Sequence, residues 1–116
     1  MIQAEARAQQ DNFAGALNDL NTIRSRAGLG PVTTSDKTTL LNAILHERQV
    51  ELFMELGHRW FDLKRTGKID EVMNIATPIK SNGANTWQSY QQLYPIPYNS
   101  DLTKAPNLTQ NEGYGK

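Results

Sequence analysis

Between His46 and Asp62 the chain concentrates the side chains that could do acid–base or metal chemistry: His46, Glu47, Arg48, Glu51, Glu55, His58, Arg59 and Asp62. Clustered carboxylates beside imidazoles can move protons or hold a cation. Two metal motifs begin here and neither is completed. His46-Glu47 opens a zinc-peptidase pattern, but the second histidine it needs falls at Val50. Glu55-Leu56-Gly57-His58 has the Glu-x-x-His form of di-metal helix bundles. Those sites need the motif twice and further glutamates on facing helices, and it occurs once. The expectation is no metal, no cofactor and no catalytic residue. Spacing favours pairing instead. Arg48–Glu51, Glu55–Arg59 and Arg59–Asp62 stand three or four apart, where opposite charges meet along a helix. The expected role of this stripe is a salt-bridge ladder joining neighbouring helices.

A second constellation lies nearer the C-terminus. Trp87, Tyr90, Tyr94 and Tyr98 are interleaved with Asn82, Asn85, Gln88, Gln91 and Gln92. Aromatic faces beside amide donors and acceptors suit a sugar, which offers apolar C–H faces and a rim of hydroxyls. The competing role for these rings is to pin an irregular tail onto helices. Trp87 and Tyr90 are the candidate ligand-binding residues, whereas Trp60 and Phe61 are expected in the core.

Bulk properties exclude several classes. Twelve basic and twelve acidic residues cancel, so charge suggests neither a nucleic acid nor an anionic membrane as partner. Cysteine is absent, which removes disulfides and thiol nucleophiles. There is no Gly-rich phosphate loop. No apolar run reaches the ~20 residues that span a bilayer, and no signal peptide precedes Gln3-Ala4-Glu5.

Helices must position these residues. Residues 1–10 read as the end of one helix. Phe13, Ala16, Leu17, Leu20, Ile23 and Ala27 then form one apolar stripe on a second. Asp11-Asn12 can cap it, and Gly28-Leu29 supplies a left-handed stop. This hairpin, residues 1–29, has the form of a tetratricopeptide unit. Ser35, Asp36, Thr38 and Thr39 are candidate caps for a long helical region over 38–75, with one helix running from about Leu40 towards Arg65. On a helical wheel Leu41, Leu45, Leu52, Phe53, Leu56, Trp60 and Leu63 fill a broad face that Val50, Met54 and Phe61 extend. Such a face predicts neighbours on two sides, and Gly57 predicts a kink or division. Residues 76–116 lose helical periodicity. Tyr94-Pro95-Ile96-Pro97-Tyr98 must be largely extended, because each proline disfavours helix at itself and at the residue before it. The fold class expected is all-α: hairpin, long helix and irregular C-terminal segment.

Two ordered blocks carry a resemblance. Glu47, Arg48, Glu51, Leu52, Glu55, Gly57, Arg59, Trp60, Phe61, Asp62, Leu63 and Arg65 form one; Tyr94-Pro95-Ile96-Pro97, Asn107-Leu108 and Gln110-Asn111-Glu112-Gly113-Tyr114 form the other. In order and spacing the chain resembles the C-terminal portion of SusD/RagB proteins, departing at Glu112, where proline is common. The resemblance implies a larger SusD-like α-helical fold. It also implies a non-catalytic nutrient-binding lipoprotein on the extracellular face of a bacterial outer membrane. Such a protein captures oligosaccharide or polysaccharide, or peptide, for a SusC-like TonB-dependent transporter. A signal, a lipidated cysteine and most ligand contacts would then lie upstream of Met1. The alternative is a helical-repeat module that binds a protein partner.

Overall fold

The computed structural model describes residues 1–115. Among these residues regular structure is entirely helical, as the fold class expected: α1 (Ile2–Gln9), α2 (Phe13–Arg26), α3 (Lys37–Glu51), α4 (His58–Arg65) and α5 (Ile69–Lys80). A 3-10 turn at Ser89–Gln92 and a π-helical turn at Tyr98–Leu102 follow. None of these helices is long and apolar enough to cross a membrane. The chain divides into two compact units, Met1–Asp62 and Leu63–Lys116.

In the N-terminal unit α1, α2 and α3 pack on one another. Ala4 and Ala8 of α1 are fully buried with Ala16 and Leu20 of α2 and Leu40 and Ile44 of α3. Small residues on α1 let the other two helices approach it closely. Arg7 fixes the hairpin from its edge, donating to Asp19 at 2.6 Å. Local signals set the ends. The Asn12 side chain accepts from Gly15 N at 3.0 Å and starts α2. Leu29 N donates to Arg24 O, and Gly28 N to Ser25 O, with Gly28 at φ 73°. That pair of bonds is the Schellman stop the glycine predicts. Of the candidate caps, Asp36 is used. Its carboxylate takes Thr39 N at 2.6 Å, so α3 begins at Lys37, earlier than Leu40. Hydrogen bonds from the Thr39 side chain and amide hold the Asp36 carboxyl below its usual range.

The single long helix expected towards Arg65 is two helices. α3 ends at Glu51, and the chain turns through Leu52–Gly57 before α4. Met54 (φ 61°), Leu56 (φ 37°) and Gly57 (φ 72°) occupy left-handed backbone. Only the last has a side chain suited to it. The division lies where Gly57 weakens the pattern, but it reverses the outcome for the broad apolar face. Val50, Phe53, Met54, Leu56 and Phe61 are all exposed. Phe61 is therefore outside the core expected for it, and Trp60 is only half-buried. A wheel drawn through the turn lines these residues up; the real backbone rotates them apart.

In the C-terminal unit α5 runs past position 76, where helix was expected to end, through Pro78 to Lys80. Proline in the final turn deprives the helix of one amide, yet the stop lies beyond it. Gly83 N donates to Pro78 O at 2.8 Å and Asn82 N to Ile79 O, with Asn82 at φ 52°. Asn82 thus takes the left-handed stop position that Gly28 fills in α2.

Candidate functional site

The charged stripe of the N-terminal unit forms pairs across helices. Arg24 of α2 donates to Glu47 of α3 at 2.7 Å and to Gly30 O at 2.9 Å. Arg48 grips Asp62 through two bonds, 2.7 Å and 3.1 Å, and both residues are buried. This fork-to-carboxylate geometry is the strongest form of ion pair. Arg26 reaches Glu51 at 2.9 Å nearer the solvent. The ladder between neighbouring helices is present, but the expected partners change. Arg48 takes Asp62 where Glu51 was expected, because the turn after Glu51 folds α4 back to it. Glu55 sits exposed in that turn. Burial pushes the Arg59 guanidinium below its usual value, and the Asp62 charge opposes that shift. Sequence spacing carries no signal for Arg24 or Arg26, since their partners lie on another helix.

Beside this ladder is an open cleft of about 540 Å³. Its lining includes Ile2, Ile23 and Leu52 with Arg26, Glu51 and His58. His46 is exposed on α3. Among the described residues no group of three or more His, Asp or Glu side chains is placed to hold a metal ion.

The aromatic constellation belongs to the C-terminal unit, and much of it is committed to internal bonds. Asp70, in the first turn of α5, gathers three side chains from the segment after the helix. Trp87 Nε1 donates at 2.7 Å, Ser89 Oγ at 2.8 Å and Gln92 Nε2 at 3.0 Å. The Trp87 bond, then the Ser89 bond, hold the Asp70 carboxyl below its usual range, with burial opposing and Gln92 adding to them. Lys64 of α4 also donates to Gln92 O at 2.9 Å.

The final residues fasten the Tyr94–Pro97 segment. Gln110 grips Ile96 from both sides, Ile96 N to Oε1 at 2.8 Å and Nε2 to Ile96 O at 2.9 Å. Asn111 donates to Tyr94 O at 2.6 Å, and the Tyr114 hydroxyl to Leu93 O at 2.7 Å. Tyr90 stands edge-on to Tyr114, ring centroids 5.0 Å apart. A Cβ at Gly113 would fall inside the Tyr90 ring, so the terminal Gly-Tyr wraps this ring closely. Trp87 is half-buried, Tyr90 sits at the margin of exposure, and Tyr94 and Tyr98 are exposed.

The two candidates, Trp87 and Tyr90, thus lie in the same unit but hold different partners: a carboxylate for one, a ring and a glycine for the other. Asp70 was not foreseen as a centre. The acidic first turn Asp70-Glu71 was the available signal, since carboxylates favour a helix N-terminus.

Both sequence blocks of the resemblance occupy structural positions: the first builds the buried ion pairs, the second the fastened tail. The SusD family profile matches residues 1–114. A curated relative, "SusD-like protein P38" of Formosa agariphila, is 39% identical over 123 residues. That match takes in 98% of this chain but 22% of the relative, so the chain spans about a fifth of the relative's length. No solved structure gives a significant match. The chain belongs to the SusD family.

Proposed function

We propose that the chain is part of a non-catalytic nutrient-binding protein of the bacterial outer-membrane surface. It would capture oligosaccharide for import through a SusC-like TonB-dependent transporter, with its lipid anchor outside residues 1–116. Membership of the SusD family over residues 1–114 carries this reading. The geometry adds that the family's signature residues here do structural work. Arg48 and Asp62 are buried against each other, and Gln110, Asn111 and Tyr114 hold backbone. Such a segment supports a site built largely elsewhere in the longer protein.

Within this segment Trp87 and Tyr90 are the proposed sugar contacts to test first. Their internal bonds dictate the substitutions. Tyr90→Phe keeps the contact with Tyr114 and removes only the hydroxyl, whereas Trp87→Phe also breaks the bond to Asp70. The test is calorimetric titration with maltoheptaose, laminarihexaose and xylohexaose of this chain and of the whole relative with this segment grafted in. Binding to the graft alone assigns the site to the remainder and the scaffold role to these residues. Binding to both, weakened by Tyr90→Phe, assigns contacts here. Binding to neither counts against capture of these glycans.

A further inference from the structure

Large exposed apolar side chains of the N-terminal unit gather in one run: Val50 (55% exposed), Phe53 (73%), Met54 (88%), Leu56 (91%) and Phe61 (61%). The Phe61 ring lies over Gly57, within ordinary contact distance of a Cβ placed there, so α4 and the turn contribute to one surface. Glu51, Leu52 and His58 carry it into the cleft, where Ile2 and Ile23 add apolar wall. Two charges at its edge, Arg26 and Glu51, are already paired with each other. What remains is apolar and poor in unpaired charge, the composition of a permanent interface and unlike the polar character of a transient one. Patches of this kind mark surfaces meant to be covered. The backbone points the same way. Met54 and Leu56 hold left-handed conformations that disfavour their side chains, and the turn uses that strain to present apolar groups outward.

We propose that this surface seats an amphipathic helix from the part of the SusD-family domain outside residues 1–116. The match to the relative leaves most of that protein unaligned, since it takes in 22% of its length. A helix laid in an apolar cleft between the turn and α2 would use one stripe of anchors spaced three and four apart. The proposal rests on family membership and is independent of which nutrient is bound.

The chain has no cysteine, so single thiols report the surface cleanly. Phe53→Cys and Leu56→Cys are compared with Ser25→Cys, a position exposed on α2. Each is made in this chain alone and in a chimera in which the chain replaces the 123 aligned residues of the Formosa agariphila relative. Reaction with a polar maleimide, followed by peptide mass, should be fast at all three positions in the chain alone. In the chimera it should slow at least about tenfold at 53 and 56 but not at 25, as expected when a surface must open before it reacts. Equal rates in both contexts, in a chimera that melts cooperatively, overturn the proposal. So does protection in the chain alone that grows with concentration, because the occupant is then a second copy. If the chimera does not melt cooperatively, thiols are placed in the relative itself at the positions aligned with 53 and 56. Protection there supports the seat and fast reaction overturns it.

Discussion

The two units solve the same problem by different means. The N-terminal unit buries side chains: alanine, leucine and isoleucine from three helices close on one another, and the charges that go inside go in as pairs. The C-terminal unit has little of this. Leu63 and Ile69 are its buried apolar residues among those described, and the segment after α5 is held by side chains that bond backbone. One device recurs in both. Asn21 grips Val32 with its amide, N–H to Oδ1 at 2.8 Å and Nδ2 to carbonyl at 2.9 Å. Gln110 does the same to Ile96. An amide side chain offers a donor and an acceptor side by side, so it can replace a neighbouring strand for one residue. In the first unit this trims a loop beside a packed core; in the second it is a principal fastening. A segment without periodicity can therefore be ordered, provided its polar backbone finds partners.

The sharpest way to break the comparison is to attack the buried pair. Asp62→Ala leaves Arg48 inside without its carboxylate. The expected loss is ~3–5 kcal/mol, the cost of an uncompensated buried charge, measured by urea unfolding followed by far-UV circular dichroism. A loss under about 1 kcal/mol would place this pair with ordinary surface ion pairs.

The apolar side of the same unit should answer almost as strongly. Ile44→Ala removes a side chain that is 1% exposed, with an expected cost of ~2–5 kcal/mol in the same measurement.

For the tail, Gly113→Ala forces a methyl into the Tyr90 ring, and the glycine has φ 84°. About 1–3 kcal/mol is expected from overpacking. Proton NMR of the Tyr90 and Tyr114 rings reads it directly: unchanged ring shifts would mean the contact does not form in solution.

Acid should loosen the Asp70 centre next. A carboxyl whose folded pKa is depressed stabilises above its unfolded pKa, ~3.9, and loses that contribution as pH falls through the folded value. Emission from Trp87, isolated by Trp60→Phe, should hold steady down to about pH 4 and shift below it. Asp70→Asn should shift the emission at neutral pH and flatten the acid response. An emission profile identical in both proteins would remove Asp70 as the anchor.

The smallest effect belongs to Arg26→Ala. Its side chain is 73% exposed, so breaking the bond to Glu51 should cost ~0–1 kcal/mol and less in high salt. A larger loss would extend the buried network to the rim.

Much of the helical framework was legible because it is written locally. The stripe from Phe13 to Ile23, the cap at Asn12 and the stop at Gly28 depend on residues within a turn or two of each other. Family membership was legible for a related reason: the signature blocks are ordered strings. What was misread lay where local rules compete. Pro78 argued for an end to helix, yet the decisive stop at Asn82-Gly83 lies beyond it. A wheel drawn from Leu40 to Arg65 assumed an unbroken axis, and one strained turn at Met54–Gly57 sent Phe61 to the surface and turned Asp62 towards Arg48. For the candidate site, the aromatic and amide residue types were visible in order, but not their partners. Trp87 and Tyr90 are three residues apart, and one ends on Asp70 and the other on Tyr114.

The sequence by itself determined helix content, most helix ends, the family and the absence of thiol chemistry, because each follows from residue types or from neighbours in the chain. Tertiary structure alone decided which charges pair, which apolar residues stay outside and what the aromatic rings hold. Those outcomes join residues far apart in sequence, such as Arg24 with Glu47 or Tyr94 with Asn111. No local spacing encodes them, since they depend on how one turn redirects the helix that follows it.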